Sequence, residues 1–293
     1  MTPWLLRVIA TALALLPLLA SAHPPAWRVT SPRGGHMTLL GSIHYLRASD
    51  YPLPDTIDEL YGNADNLIME LDLDDLDPLQ MSQTLVSRGT AANGKSLSDR
   101  LPADTLRQAS QAALDVGVTL EVMNRFEPWL VALTLTQLKM NQLGFDPGVG
   151  LEQHLLRKAR TDGKQIRGLE TVDDQLAIFD DLTEAQQAAF LEQTVDEMTG
   201  LADQVGTLVD TWMKGNVESL AADLLAGLLD FPELYQSLVV ERNLDWAKQL
   251  AALANDSDQT SLVVVGTLHL VGDDSLVALL EKRGFTITRL GDP

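Results

Sequence analysis

Residues 37–43 read MTLLGSI and run into His44, and residues 262–265 read LVVV and run through Gly266-Thr267-Leu268 into His269. Each is a short apolar run, a glycine, two residues and a histidine. Short apolar runs of this kind read as strands. In an open α/β sheet the ligand crevice lies beyond the carboxyl ends of the strands. A glycine there lets the chain turn sharply or approach a ligand closely. The two stretches therefore predict two strands that bring imidazoles to one rim.

Further strand-length runs are residues 67–71 (LIMEL), 165–169 and 286–290 (TITRL). Between them, residues 55–62, 128–143, 151–159, 185–198, 219–229 and 235–253 carry apolar side chains at three- and four-residue steps, the helical period. Strands alternating with helices predict an α/β (α+β) chain. The expected architecture is a small mixed sheet with a large helical lobe, about residues 96–250, inserted between the N- and C-terminal strand-Gly-x-x-His units. Residues 23–293 are read as one domain, with no long linker and no repeat of 20–50 residues.

Residues 1–22 have the form of an export signal. Arg7 lies in a short basic start, an apolar run follows, and Ala20-Ser21-Ala22 suits cleavage before His23. The apolar run is short for a membrane span. A periplasmic or secreted protein with no stable span after cleavage is expected, and retention as an anchor is the alternative. The 293 residues carry 21 Lys plus Arg against 41 Asp plus Glu, a net charge of −20. Such a surface opposes phosphate contacts, so no nucleic-acid partner is expected. With no cysteine in the chain, disulfides, thiolate nucleophiles and iron–sulfur clusters are excluded.

Two imidazoles at one rim suit zinc, manganese, cobalt, nickel or iron. Glu70 ends the run LIME and should emerge at the same edge, as a third ligand or as the base for a water. His44, Glu70 and His269 are thus the candidate metal set. Asp72, on the same side of its strand by alternation, is a second choice. Two loop histidines and a solvated acid are the plainer reading of the same residues. Ser42 and Thr267 read as surface hydroxyls, and Glu170 as a helix cap or an ion-pair partner.

The chain resembles the TraB/GumN family, which includes the Tiki metalloproteases. The resemblance is carried by GSIHYLRASDYPLP (residues 41–54), LIMELD (67–72), RFEPW (125–129), GLETVDDQ (168–175), ERNLDWA (241–247) and VVVGTLHLVG (263–272). It implies a hydrolase dependent on a divalent metal such as manganese, cobalt or zinc, with a metal-activated water attacking a carbonyl. It also implies a functional arginine beside Glu70. Arg125 and Arg242 both lie in matching blocks, and the resemblance does not choose between them. Peptides or proteins are the substrates that it implies. A metal or ligand binder without catalysis, or an envelope partner-binding protein, is the alternative. Substrate and oligomeric state are not legible.

Several other motifs carry less. Residues 89–96 (GTAANGKS) match a phosphate-binding loop letter for letter, but no buried-strand pattern leads into them and Pro102 breaks a helix leading out of them. His23 with His36 could form an amino-terminal copper brace only by chance placement. His154 reads as a helix-surface residue, and Trp129, Trp212 and Trp246 read as packing residues.

Overall fold

A computed structural model describes residues 23–92, 94–256 and 259–291. The expected export signal and Asn93 of the 89–96 string lie outside the described residues. Among these residues six strands form one sheet: β1 (Ala26–Thr30), β2 (His36–Ser42), β3 (Asn66–Met69), β4 (Gln165–Gly168), β5 (Ser261–Gly266) and β6 (Thr286–Arg289). Their spatial order is β4-β3-β5-β2-β1-β6. β2, β5, β3 and β4 run parallel, while β1 is antiparallel to both β2 and β6. The sheet is therefore mixed. β5 is flanked on both sides, and Leu262, Val263, Val264 and Val265 are fully buried. That burial on both faces is why the run is apolar without alternation.

The helices are α1 (Asp55–Gly62), α2 (Pro78–Arg88), α3 (Ala103–Asp115), α4 (Pro128–Gln142), α5 (Leu151–Asp162), α6 (Val172–Asp180), α7 (Glu184–Glu197), α8 (Leu201–Met213), α9 (Val217–Ala226), α10 (Pro232–Tyr235), α11 (Arg242–Asp256) and α12 (Leu276–Lys282). They cover both faces of the sheet. Val263 and Val265 point to a core with Trp246 and Leu250 of α11 and Leu276 of α12. Leu262 and Val264 point to the other, with Ile57 of α1, Leu151 and Leu155 of α5 and Trp212 of α8. The two-residue alternation along β5 thus sorts its side chains between two layers.

The helical insertion has a core of its own, where Ala109, Ala112 and Ala113 of α3 meet Val131 and Leu135 of α4 and Leu191 of α7. Small residues on α3 permit that close approach. The first turn of α4 faces two ways: Trp129 and Leu130 pack with Leu176 of α6, while Val131 and Ala132 enter the helical core. Its start is therefore buried almost all round, which a simple three- and four-residue stripe does not predict.

Two details differ from the sequence reading. β1 was not foreseen, because its five residues, AWRVT, lie close to the expected cleavage site and show no long apolar run. The stretch of about residues 96–250 is the expected large helical insertion, and β4, within the strand-length run 165–169, pairs with β3 from inside it. Gly41 lies within β2, paired with Val265, rather than beyond the strand end.

Candidate functional site

The parallel register sets three strand ends side by side. Ser42 pairs with Gly266 between β2 and β5, and Met69 pairs with Val264 between β3 and β5. Glu70 follows β3 directly, and its Oε1 accepts the Gly266 N–H at 2.7 Å. His269 lies in the short turn after β5 and is 4% exposed. His44 lies just past β2 with its side chain 59% exposed. A Cβ built on Gly266 would lie 3.3 Å from Glu70 Oε1, 3.6 Å from His44 Nε2 and 3.7 Å from His269 Cδ2. One point at the end of β5 is thus a common neighbour of all three side chains.

Arg242 stands at the centre. It opens α11 directly after a π-helical turn, Gln236–Glu241, a local widening common at functional sites. Its Nη2 donates to Glu70 Oε2 at 2.7 Å and to Glu170 Oε1 at 2.7 Å, and its Nε donates to Glu170 Oε2 at 3.0 Å. Its Nη1 lies 2.9 Å from His269 Nε2, and the guanidinium stacks 4.5 Å over the Trp246 ring. A guanidinium only donates, so His269 Nε2 is the acceptor and its proton sits on Nδ1. Nδ1 lies 2.7 Å from Asn243 Oδ1. Asn243 is fully buried and spends its amide nitrogen on the carbonyls of His269 and Asp274, which fixes its oxygen toward the ring. Burial pushes the His269 imidazole down to about 3, in keeping with a neutral ring whose Nε2 lone pair faces the cluster.

Glu70 is ionised. Burial opposes its charge, but the Arg242 guanidinium, the His44 imidazole and the Gly266 amide overcome this and hold the carboxyl well below the ordinary range. Glu170 is shifted the other way, raised chiefly by burial despite its two bonds to Arg242. His44 has its own partner: Nδ1 lies 2.7 Å from Glu152 Oε1. The Glu152 charge raises the His44 imidazole above its usual value, an effect that water tempers at so exposed a ring. Burial opposes the charge on Glu152 as well, yet the His44 charge and the Ser42 hydroxyl hold its carboxyl down.

Glu152 reaches His44 because α5 starts against the end of β2. The Leu151 N–H donates to Ile43 O at 3.2 Å. A Cβ at Gly150 would collide with the His44 carbonyl oxygen, so only glycine permits this approach. Neither Glu152 nor Asn243 stands out in the sequence. An acidic residue in a first helical turn is commonplace, and Asn243 is marked only by its place beside Arg242.

The two arginines are separated by the fold. Arg242 lines the cavity with His44, Glu70 and His269. Arg125 does not: it is exposed in the loop before α4, near Gly94. Asp72 also stays out, its Oδ1 accepting the Asp74 N–H at 3.1 Å. Glu170 is an ion-pair partner, of Arg242. Ser42 and Thr267 are buried rather than surface hydroxyls, and Thr267 Oγ1 donates to the Ser42 carbonyl at 2.9 Å. The phosphate-loop string follows helix α2, not a strand. His154 Nε2 sits on the surface of α5, 3.4 Å from Asp58. Among the described residues, no three His, Asp or Glu side chains already form a cage for a metal ion.

The cluster forms one wall of a cavity of about 350 Å³ whose other walls are apolar, from Met140, Val205, Leu208, Leu220, Leu224 and Leu238. Fold and site together define an α/β protein with an Arg–Glu–His cluster at the carboxyl rim of its parallel strands. The chain belongs to the TraB/PrgY/gumN family, matching it over residues 25–289. It is 26% identical over 256 residues to the uncharacterized protein YbaP of Escherichia coli (strain K12), covering 87% of this chain and 92% of that one. An uncharacterized protein of Treponema pallidum (strain Nichols) is 22% identical over 288 residues, covering 92% of this chain and 84% of its own length. A metalloprotease TIKI homolog of Amphimedon queenslandica is 23% identical over 193 residues, covering 57% of this chain and 38% of that protein. No solved structure matches the chain.

Proposed function

We propose that this protein is an exported metal-dependent hydrolase acting on peptide bonds in the periplasm or outside the cell. One observation carries the reading: His44 Nε2, Glu70 Oε1 and the His269 ring surround a single point at the end of β5. The donor set fits a divalent cation in type. It offers two imidazoles and an ionised carboxylate, and each ring has its other nitrogen held, by Glu152 for His44 and by Asn243 for His269. Such partners fix ring direction at metal sites. The His269 lone pair engaged by Arg242 is the one that a cation would take. The partial likeness to a metalloprotease TIKI homolog points the same way.

His44, Glu70 and His269 would hold the ion, which when bound supplies Lewis acidity toward a carbonyl and a lowered pKa for water. As the alternative to holding the ion, Glu70, ionised and anchored by the Gly266 amide, would take the proton of the attacking water and pass it to the departing amine. Arg242 supplies a permanent positive charge to the oxyanion that develops on the carbonyl. Its paired bonds to Glu170 orient it, and the apolar walls exclude bulk water, which strengthens that charge. Among the described residues no helix is long and apolar enough to cross a membrane.

The test is metal analysis of the purified protein under anaerobic conditions, paired with cleavage of a peptide library in manganese, cobalt or zinc. Stoichiometric metal with cleavage that Glu70→Gln abolishes is the expected result. Metal without cleavage identifies a binder instead, and no metal at all refutes the assignment.

A further inference from the structure

Two cavities meet at the cluster. The first, of about 350 Å³, has the reactive side chains on one wall and Met140, Val205, Leu208, Leu220, Leu224 and Leu238 on the others. The second, of about 250 Å³, shares His44 and Glu70 with the first and is lined beyond them by Pro147, Glu152, Gln153 and Gln175. One side of the cluster therefore opens into an apolar chamber built by α4, α8, α9 and the turn before Arg242. The other opens into a mixed trough, where Met69, Leu71 and Leu73 line apolar stretches beside the side-chain amides of Gln153 and Gln175, which suit the donors and acceptors of a peptide backbone. Pockets of this size take up a compact apolar group and fix it with a few polar contacts.

We propose that the chamber is the subsite for one large apolar side chain, of the leucine, methionine or phenylalanine class, in a peptide whose backbone crosses His44 and Glu70 and continues into the trough. The proposal depends on the hydrolase reading only for the bond that lies beside the chamber. Leu208, Leu224 and Leu238 determine the preference. They are partly exposed at the chamber wall, so each contributes apolar surface to an occupant rather than only to the core. Because cavities lie on both sides of the cluster, the chain needs no free end to bind.

The experiment uses the full mature chain and short peptides acetylated at the amino end and amidated at the carboxyl end. They vary at one position among glycine, alanine, leucine and phenylalanine. Equilibrium binding is measured first. Leucine and phenylalanine peptides are expected to bind roughly 10- to 100-fold more tightly than the glycine peptide, the range that burying one such side chain supports. Leu208→Gln and Leu224→Gln reduce that ratio. Val205→Phe, which fills the chamber with apolar bulk, removes the phenylalanine preference while alanine peptides still bind. Equal binding of glycine and leucine peptides, a ratio unchanged in all three variants, or no measurable binding of end-blocked peptides overturns the subsite. Cleavage of the same peptides is scored separately. Apolar-selective binding with no cleavage in any metal overturns the hydrolase reading and leaves the subsite standing.

Discussion

His44 and His269 hold matching places after their strands but live in different surroundings. His269 is buried, hydrogen-bonded to Asn243 and tilted against the Trp246 ring with centroids 4.6 Å apart. His269→Ala leaves the Asn243 oxygen without its partner, a loss of about 1–3 kcal/mol, and His44→Ala leaves the largely buried Glu152 carboxylate without its ion-pair partner, a loss of about the same size. Urea denaturation of the two variants measures both losses, and both are expected to lose metal. Arg242 and Arg125 make a similar contrast. Removing Arg242 strands Glu70 and Glu170 as buried charges, so Arg242→Ala costs about 3–5 kcal/mol. Arg125→Ala, at an exposed loop position, is expected to leave both stability and activity unchanged. A denaturation midpoint for Arg242→Ala equal to that of the parent would overturn the central role given to this side chain.

At the level of elements, α6 is held at its start by a reciprocal cap. Thr171 Oγ1 accepts the Asp174 N–H at 3.2 Å, and Asp174 Oδ2 accepts the Thr171 N–H at 2.9 Å. Thr171→Ala should cost about 1 kcal/mol. Bonds from the Thr171 hydroxyl and amide hold the Asp174 carboxyl below its ordinary value. A carboxyl depressed on folding stabilises the native state above its unfolded pKa, about 4, and that contribution disappears as pH falls through the folded value. Asp174→Asn is therefore expected to lose stability against the parent at pH 7, with the gap closing as pH falls below the ordinary carboxyl range. Denaturation midpoints across that range measure it. The cap bears on the site, because Gln175 in the same turn lies 3.4 Å from Glu70 Oε2. At this scale β2, β3, β4, β5 and β6 and the helices α1, α4, α5, α7, α9 and α11 carry their period legibly in their residues, whereas α3, α6, α8 and α12 were not among the helical stretches expected. β1 was not expected either, since its residues AWRVT mix small, aromatic, basic and polar side chains and offer no apolar run. The start of α4 was foreseen at residue 128, but not its burial on two sides, because its first turn serves two cores at once.

Taking the molecule as a whole, the three proposed ligands come from the ends of β2, β3 and β5, separated by most of the chain. A cation that binds them only when the sheet is formed stabilises the fold by mass action, by about 2.7 kcal/mol at a hundredfold excess over its dissociation constant. Manganese, cobalt or zinc should thus raise the Tm of the parent and leave that of His44→Ala unmoved. A chelator should reverse the rise, and calorimetry with and without metal checks both. An equal shift in parent and variant would place the metal elsewhere.

Period and composition determined the α/β class, the rim position of the two histidines and the nomination of Glu70, because apolar patterning and strand ends are local properties. Only the tertiary structure decided between Arg242 and Arg125, since both lie in equally plausible blocks and the choice depends on where α11 docks against the sheet. It alone brought in Glu152 and Asn243, which hold the imidazoles from helices remote in sequence. The apolar chamber, too, exists only where α4, α8 and α9 close over the rim, for a cavity is a relation between elements and no single segment encodes it.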